Sequence, residues 1–420
     1  MTAAGGGAPL LGLGAQRLAW PDRRLEPGVV WVDPALGTIV DVVRPGHGPA
    51  GTRPEDVPGR LVDLGNRTVA PGFVDVHVHG GDGHQTNGDS PAEVEEALAR
   101  IARFHARHGT TALLATAVSD SPERLAATVA GIAQAVGAPR AGAARVLGGN
   151  LEGPFISPAR AGAQDPAWIR PPDRAELSGL LEAGRGTIRV MTLAPELEGA
   201  AALIADCVAA GVTVSLGHSD ADFDTARAAF DAGASHVTHL FDAMAPFHHR
   251  RPGLVAAALL ERRATLELIC DLHHLHPGAI ALAHRAAPGR IVLMTDAIAA
   301  AGMPDGPFRL GALDVELEGT RVVLASDRST LAGSVLTMER AVRHAVERAG
   351  IPLAEALCAA SAVPTLLAAP GGEGTGRGGA RSGVLEPGAP ADLVVLDPDL
   401  DVAATIVAGN VVFQRDELLG

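Results

Sequence analysis

The 420-residue chain contains no lysine. Lysine chemistry is therefore excluded: a Schiff base, a P-loop that binds nucleotide phosphates, and a carbamylated lysine that bridges two metal ions. Cysteine is also scarce, with 3 residues lying far apart at Cys207, Cys270 and Cys358. This spacing excludes a disulfide framework and a cysteine zinc knuckle. A bridging metal ligand would have to be an aspartate or a glutamate.

Positive charge is in deficit as well, since 34 arginines face 48 acidic residues and the net charge is −14. Nucleic acids and anionic membranes are therefore not expected as partners. No apolar run reaches the ~20 residues that a membrane helix needs, and Met1–Pro9 lack the basic start of a signal peptide. The 47% hydrophobic and 20% charged residues are typical of a soluble globular protein. A cytoplasmic location is the expectation.

From Val74 onward, apolar strand-like runs alternate with helical stretches rich in Ala, Glu and Arg. Eight such strands predict an α/β fold of the (β/α)8 TIM-like barrel type. The predicted strands are Phe73–Val78, Thr110–Thr116, Arg145–Leu151, Thr187–Leu193, Val212–Leu216, His236–Leu240, Leu266–Cys270 and Arg290–Met294. The helices predicted between them include Pro91–His108, Pro122–Val136, Gly199–Ala210, Ala221–Asp231 and Pro277–Ala287. A hairpin over Phe308–Leu324 and helices over Val335–Ala349 and Leu353–Leu367 should follow.

The two ends of the chain have a different pattern, with short strand-like runs between Pro and Gly residues. We expect residues 1–70 and 383–420 to form the two parts of a small β-sandwich domain beside a barrel that spans 71–370. The glycine-rich segment 371–382 is interpreted as a flexible linker. It is not interpreted as a phosphate loop, because neither a lysine nor a following helix accompanies it.

The first predicted barrel strand ends in two histidines, His77 and His79. Side chains two residues apart on a strand point to the same face, so the pair can hold one metal ion. Gly80 would leave room for a ligand to approach. Alone the pattern is weak, since a single His-x-His pair is more often explained by packing or chance.

Other strand ends carry further polar residues, and barrel enzymes place their chemistry at these ends. Glu152 ends the third strand, and His218, His239 and Asp296 end the fifth, sixth and eighth. Each alone could be a hydrogen-bonded structural residue or a helix cap. Together they suit a divalent ion, with Glu152 as the bridging carboxylate. Such an ion lowers the pKa of water, and Asp296 would act as general base and acid.

Two further stretches could contact a substrate. The segment Phe241–Gly253 is polar and basic in an acidic protein, which favours phosphate binding by arginine over a solvated loop. His274 follows the seventh strand and could polarise a carbonyl oxygen. His273 and His276 are equally eligible by their chemistry.

Seven motifs, in order over nearly the whole chain, resemble those of N-acetylglucosamine-6-phosphate deacetylases of the amidohydrolase superfamily. The most specific are Leu-Glu-Gly-Pro-Phe at 151–155 and Thr-His-Leu-Phe-Asp-Ala-Met at 238–244. The others lie at Pro71–Gly80, Leu216–Ala221, Thr295–Gly302, Leu331–Ser334 and Pro387–Leu396. The resemblance implies removal of acetate from N-acetylglucosamine 6-phosphate. The alternatives are another N-acyl amino sugar, namely N-acetylgalactosamine 6-phosphate or an unphosphorylated sugar, and a catalytically inactive scaffold.

The resemblance also implies roles for individual residues. Glu152, His218 and His239 would bind the main metal ion, with His77 and His79 available for a second. The metal would be zinc, with iron, cobalt or manganese as alternatives, at one or two ions per subunit. Asp296 would be the catalytic base and acid, and His274 would contact the acetyl group. Arg250 would bind the sugar phosphate across the interface of a homodimer, and the remaining substrate-binding positions are Asp242, Ala243 and Gln164.

Two of these positions depart from the family pattern. Asp242 stands where the family usually has Asn, and Gln164 where it usually has His. A carboxylate at Asp242 would repel a phosphate unless Arg250 or Arg251 neutralises it. Both departures concern substrate recognition rather than the metal or the base.

Overall fold

The computed structural model describes residues 9–138, 140–368 and 382–419. Its N-terminal part contains five strands: β1 (Leu10–Ala19), β2 (Leu25–Asp33), β3 (Thr38–Val43), β4 (Gly59–Asp63) and β5 (Thr68–Pro71). The first barrel strand is β6 (Phe73–Val78), with the bounds predicted from the sequence. It is followed by the short strands β7 (Gly80–Gly81) and β8 (His84–Gln85). The predicted linker at 371–382 lies outside the described residues except for Ser382.

Seven more barrel strands follow: β9 (Thr110–Val118), β10 (Arg145–Glu152), β11 (Ile188–Leu193), β12 (Thr213–Leu216), β13 (His236–Val237), β14 (Thr265–Ile269) and β15 (Ile291–Met294). With β6 they form one eight-stranded parallel sheet in the order β15-β14-β13-β12-β11-β10-β9-β6. Hydrogen bonds from Asp296 N to His77 O and from His79 N to Ala297 O connect its two edges. The predicted barrel is confirmed.

The helices of the barrel are α1 (Pro91–Ala106), α2 (Pro122–Ala135), α3 (Arg174–Gly184), α4 (Ala200–Ala209), α5 (Phe223–Asp231), α6 (Gly253–Leu260) and α7 (Pro277–Ala286). Several begin at a side-chain cap. Ser90 accepts a hydrogen bond from Glu93 N at the start of α1, and Ser121 caps α2 in the same way. A proline at the first position of both helices has a φ angle that suits it there. No helix among the described residues is long and apolar enough to cross a membrane.

The segment after the barrel strands contains a three-stranded antiparallel sheet, β16 (Gly306–Leu310), β17 (Leu313–Glu318) and β18 (Arg321–Leu324). The hairpin predicted over Phe308–Leu324 has its turn where expected, between β17 and β18, but its first arm is divided between β16 and β17. Three helices follow, α8 (Met338–Glu347), α9 (Leu353–Ala360) and α10 (Ala362–Ala368). The single helix predicted over Leu353–Leu367 is therefore wrong: it is interrupted at Ser361, whose backbone has φ −132° and ψ −75°.

The small domain is built from both ends of the chain, as predicted. Strands β19 (Leu393–Leu396), β20 (Val402–Val407) and β21 (Asn410–Gln414) join the N-terminal strands in the order β21-β20-β19-β5-β1-β2-β3, and β4 pairs with β1. Strand β3, at one edge of this sheet, also bonds to the segment just before the central strand β19. Ile39 N donates to Ala389 O, and Ala391 N donates to Gly37 O. The sheet thus folds over its own apolar core, which includes Leu13, Val30, Val69, Leu393 and Ile406.

Candidate metal centre and active-site pocket

A cavity of about 270 Å³ opens at the C-terminal ends of the barrel strands. Most of the site residues predicted from the sequence line it: His79, Glu152, Gln164, His218, His239, Asp242, Ala243, His274 and Asp296. His77 lies directly beneath, fully buried, with its Nε2 atom 3.1 Å from His79 Nε2. Side chains from six strand ends, which are remote in the sequence, therefore converge on one mouth.

Glu152 is the centre of this cluster. Its Oε1 atom lies 2.8 Å from His239 Nε2 and 3.0 Å from His218 Nε2. Its Oε2 atom lies 3.3 Å from His79 Nε2, and Oε1 lies 3.5 Å from His77 Nε2. Two groups with the geometry to hold a metal ion result, Glu152 with His218 and His239, and Glu152 with His77 and His79. Glu152, which was predicted from the sequence to be the bridging carboxylate, belongs to both groups.

The hydrogen bonds of the four histidines orient their lone pairs. Each Nδ1 atom faces an oxygen that has no hydrogen to donate: Glu267 Oε2 for His77, Thr116 O for His79, Arg160 O for His218 and Asp242 O for His239. Each Nδ1 therefore carries a proton, and each Nε2 points to the centre, where it can offer a lone pair to a bound ion. Two pairs of Nε2 atoms lie only 3.1 and 3.2 Å apart. Lone pairs at that separation repel unless a cation lies between them, so this donor set fits a divalent metal.

The electrostatics of the cluster lead to the same conclusion. Burial alone would lower the pKa of His79 and His239, but contacts with Glu152, and for His79 with Asp296, raise both. Burial alone would raise the pKa of Glu152, but the charges of His77 and His218 hold it well below its usual value. The buried carboxylates thus stay ionised and attract positive charge, which a metal ion can provide in place of protons.

Asp296 lies beside the first histidine pair, with Oδ1 3.1 Å from His79 Nε2 and 3.6 Å from His77 Nε2. Burial alone would raise its pKa, but the hydrogen bond to His79 and the charges of both histidines lower it, so the group is a carboxylate at neutral pH. An ionised carboxylate in this position can accept a proton from a water in the pocket.

Unusual backbone conformations place three of these side chains. His218, His239 and Asp296 have φ angles of 45°, 27° and 53°, in the left-handed region that non-glycine residues rarely adopt. The turn at His239 explains why the predicted strand His236–Leu240 ends at Val237. At such a turn the chain leaves the strand and directs the imidazole into the mouth of the barrel.

On the substrate side of the pocket, the structure distinguishes among the three candidate histidines. His274 lines the pocket, and its Nδ1 atom lies 2.7 Å from Asp271 Oδ2. Burial opposes its charge, but the Asp271 carboxylate raises the pKa of His274 to about 9. His273 instead contacts Thr320 Oγ1, and His276 caps α7. Of the three, His274 is thus the one that presents a charged N–H donor to the pocket.

Gln164 and Asp242, the two positions expected from the sequence to depart from the family pattern, differ in their contacts. Gln164 is fully engaged, since its amide N–H donates to Glu152 Oε2 at 2.8 Å and its oxygen accepts from Ser119 N at 2.7 Å. Asp242 instead has a buried oxygen, Oδ2, without a partner among the described residues. Burial raises the pKa of Asp242 to about 6, against the charges of His274 and His239.

Arg250 and Arg251 do not line the pocket. Both are exposed, in a loop that follows the barrel's sixth strand and begins with Phe247, which is 59% exposed. Arg250 N donates to His248 Nδ1, but no ion pair or side-chain hydrogen bond within the described part of the chain holds the Arg250 guanidinium.

Three carboxylates that support the site, of which Asp75 and Glu267 are fully buried and Asp271 is partly buried, were not predicted from the sequence. Asp75 accepts hydrogen bonds from Thr295 Oγ1 and N, next to Asp296. Asp271 orients His274. Glu267, on β14, contacts His77, His236 and His239 N. A usable signal existed for Glu267, because a lone charged residue inside the apolar strand Thr265–Ile269 needs a buried partner.

The chain is similar to known proteins over most of its length. A sequence profile described as the Amidohydrolase family matches residues 68–412. The chain is 40% identical over 358 residues to the N-acetylgalactosamine-6-phosphate deacetylase of Escherichia coli O157:H7, covering 85% of this chain and 90% of that protein. It is 39% identical over 362 residues to the N-acetylglucosamine-6-phosphate deacetylase of Homo sapiens, covering 84% of this chain and 85% of that protein.

The fold has a similar solved counterpart. A mutant of the N-acetyl-D-glucosamine-6-phosphate deacetylase from Mycobacterium smegmatis, in complex with N-acetyl-D-glucosamine-6-phosphate, has a TM-score of 0.85 to this structure. It is 37% identical to this chain, and the match covers 97% of this chain and 100% of that chain.

Proposed function

The chain belongs to the amidohydrolase family, in the group of the N-acetylglucosamine-6-phosphate deacetylases, and we propose that it hydrolyses the acetamide of N-acetylglucosamine 6-phosphate to glucosamine 6-phosphate and acetate. The observation that carries this proposal is the position of Glu152 between two histidine pairs, beside Asp296. An inactive scaffold would be expected to have lost a member of this set, and every member is present.

Two kinds of residue would cooperate at the reacting amide. Glu152, His218 and His239 would hold the main metal ion, which we propose to be zinc, and His77 with His79 a second. Such an ion, when bound, supplies Lewis-acid activation of water and of the amide carbonyl. Iron, cobalt or manganese could satisfy the same imidazole and carboxylate donors.

Asp296 and His274 would carry the proton chemistry. Asp296, held ionised by its histidine neighbours, takes a proton from the attacking water and delivers it to the leaving amine. His274, held protonated by Asp271, donates its Nε2 hydrogen to the acetyl oxygen as negative charge develops there. Gln164 would donate its hydrogen bond to Glu152 and so fix the orientation of the carboxylate that belongs to both metal groups.

Phosphate binding would involve a second copy of the chain. Arg250 is exposed and lies outside its own pocket, and arginine is well suited to phosphate recognition. We propose a homodimer in which the loop that begins at Phe247 packs against the other copy and Arg250 reaches a substrate phosphate there. Within the pocket, Ala243 and Asp242 would border the sugar.

A second substrate is supported by a specific observation. The 40% identical relative carries the name N-acetylgalactosamine-6-phosphate deacetylase, and Asp242 differs from the usual family residue. The proposal is tested by acetate release from N-acetylglucosamine 6-phosphate, N-acetylgalactosamine 6-phosphate and unphosphorylated N-acetylglucosamine. The first should be hydrolysed with the highest kcat/KM. If N-acetylgalactosamine 6-phosphate or unphosphorylated N-acetylglucosamine is hydrolysed faster, that compound is the preferred substrate instead.

The cellular setting and the domain limits complete the proposal. The three cysteines are free thiols, the state that a reducing compartment such as the cytoplasm maintains. We place the domain limits at residues 1–70 and 383–420 for the β-domain, 71–370 for the barrel and 371–382 for the linker.

A further inference from the structure

Glu267 connects the two candidate metal groups from beneath. It is fully buried on β14. Its Oε2 atom lies 3.1 Å from His77 Nδ1 and 3.2 Å from the main-chain nitrogen of His239. His77 belongs to one metal group and His239 to the other. A single carboxylate oxygen therefore accepts hydrogen bonds from both groups.

The other oxygen of Glu267 is held by a third histidine. His236 Nε2 lies 2.9 Å from Glu267 Oε1, and His236 Nδ1 lies 2.8 Å from Thr265 Oγ1. The N–H groups of His77, His236 and His239 therefore all point at the two oxygens of the Glu267 carboxylate. Both oxygens of Glu267 and both ring nitrogens of His236 thus have partners, and these bonds together hold the Glu267 side chain in one position.

We propose that Glu267 is a positioning residue for both metal groups, and that it acts through His77 and the backbone of His239. Its negative charge raises the electron density on the His77 ring and directs the Nε2 lone pair at the metal. Its bond to His239 N stabilises the rare φ of 27° that turns that imidazole into the mouth. The inference rests on the metal centre proposed above but concerns a residue that contacts neither metal nor substrate.

Two variants separate charge from hydrogen bonding. In Glu267→Gln, the amide oxygen can replace Oε2 as acceptor, and the amide NH2 can donate to His236 Nε2. His236 would then shift its proton to Nδ1, which lies 3.1 Å from the acceptor Thr265 O. Only the charge is lost in this variant. Glu267→Met removes both acceptors at similar volume and leaves the donors unpaired.

The experiment measures metal binding by the full chain, without substrate. Metal-free protein is titrated with Zn2+ in competition with a chromophoric chelator, and the visible absorption bands of bound Co2+ report the ligand geometry. Glu267→Gln should weaken Zn2+ binding about 10-fold and Glu267→Met about 100-fold. Both should alter the Co2+ bands. If Glu267→Met does not fold, the glutamine variant decides the outcome.

Glu339→Gln is the matched control, because Glu339 is also a buried glutamate paired with a histidine, His108, at 2.8 Å. It touches neither metal group and should bind Zn2+ as the wild type does. In a His77→Ala background, Glu267→Gln should weaken Zn2+ binding less than it does in the wild type. His77, one of the two residues through which Glu267 acts, is already absent there.

Three results would overturn the proposal: wild-type Zn2+ affinity with unchanged Co2+ bands in Glu267→Gln, an equal loss in Glu339→Gln, or an undiminished loss in the His77→Ala background. A wild-type chain that binds no Zn2+ would reject the metal centre itself, and the role of Glu267 with it. Normal wild-type binding with an unaffected Glu267→Gln would reject the role of Glu267 alone.

Discussion

The side-chain amide of Gln164 donates a 2.8 Å hydrogen bond to Glu152 Oε2, the oxygen that also faces His79. This chain thus supports its central carboxylate with a neutral amide. That amide is in turn fixed by Ser119 N, which donates to its oxygen. A residue expected to contact substrate therefore also orients the proposed metal ligand.

Replacing Gln164 by methionine should disturb the metal centre. The change removes the donor to Glu152 and leaves Ser119 N without an acceptor, which costs about 1–3 kcal/mol of folding stability. Zn2+ affinity should fall about 10-fold or more, because the orientation of Glu152 is lost. Gln85→Met is the control, since Gln85 also accepts from a backbone nitrogen, that of Gly311, but does not touch Glu152. Equal Zn2+ affinities in the two variants would contradict this role.

Asp271→Asn should move the alkaline limit of activity to lower pH. The Asp271 carboxylate, working against burial, raises the pKa of His274 to about 9. A raised folded-state pKa stabilises the protein fully below the unfolded value of about 6.5, and this stabilisation is lost as pH rises through about 9. In the variant, His274 should lose its proton at lower pH, and kcat/KM should fall earlier.

The measurement for Asp271→Asn is a profile of kcat/KM between pH 6 and 10, alongside the unfolding midpoint over the same range. An alkaline limb that coincides with that of the wild type would show that the His274 proton is not used in the reaction.

Gly333→Ala should impair catalysis by displacing Asp296. A Cβ atom at Gly333 would lie 2.4 Å from Ile298 Cγ2 and 2.9 Å from Asp296 O. Gly319→Ala is a matched control, because its φ of 64° is close to the 60° of Gly333 and its Cβ would meet no atom within 4 Å. Both variants should lose about 1–2 kcal/mol of stability from the left-handed backbone. Only Gly333→Ala should also lose kcat, and similar kcat values in the two would refute the steric argument.

Mixing two inactive variants should restore activity if Arg250 serves the pocket of a second copy. A dimer of one Arg250→Ala and one Asp296→Asn subunit contains one site in which both groups are intact. Random pairing would then give about a quarter of the wild-type activity. The test is acetate release after the two proteins are unfolded and refolded together. Failure to exceed the sum of the separate activities would place Arg250 in its own subunit's site, or outside any site.

The strand-end residues could be predicted from the sequence because a parallel barrel directs all its C-terminal strand ends to one face. Glu152, His218, His239 and Asp296 were found by that rule alone. Glu267 was not, because its place inside an apolar strand indicates only that it has a buried partner, and that partner, His77, is 190 residues away in the chain. The orientation of Gln164 depends on Ser119, 45 residues away, which no local pattern encodes. Local rules thus locate strand ends and turns, whereas hydrogen-bond partners on opposite sides of the barrel can be identified only in the folded structure.

The most direct test compares wild type and Asp296→Asn, both loaded with zinc, in acetate release from N-acetylglucosamine 6-phosphate. The Asn side chain keeps the shape of Asp296 but cannot accept the proton of the attacking water. The account predicts equal zinc content, a similar unfolding midpoint and a kcat reduced about 100- to 10,000-fold. Undiminished turnover by zinc-loaded Asp296→Asn would contradict the assignment of Asp296 as base and acid, and with it the proposed mechanism.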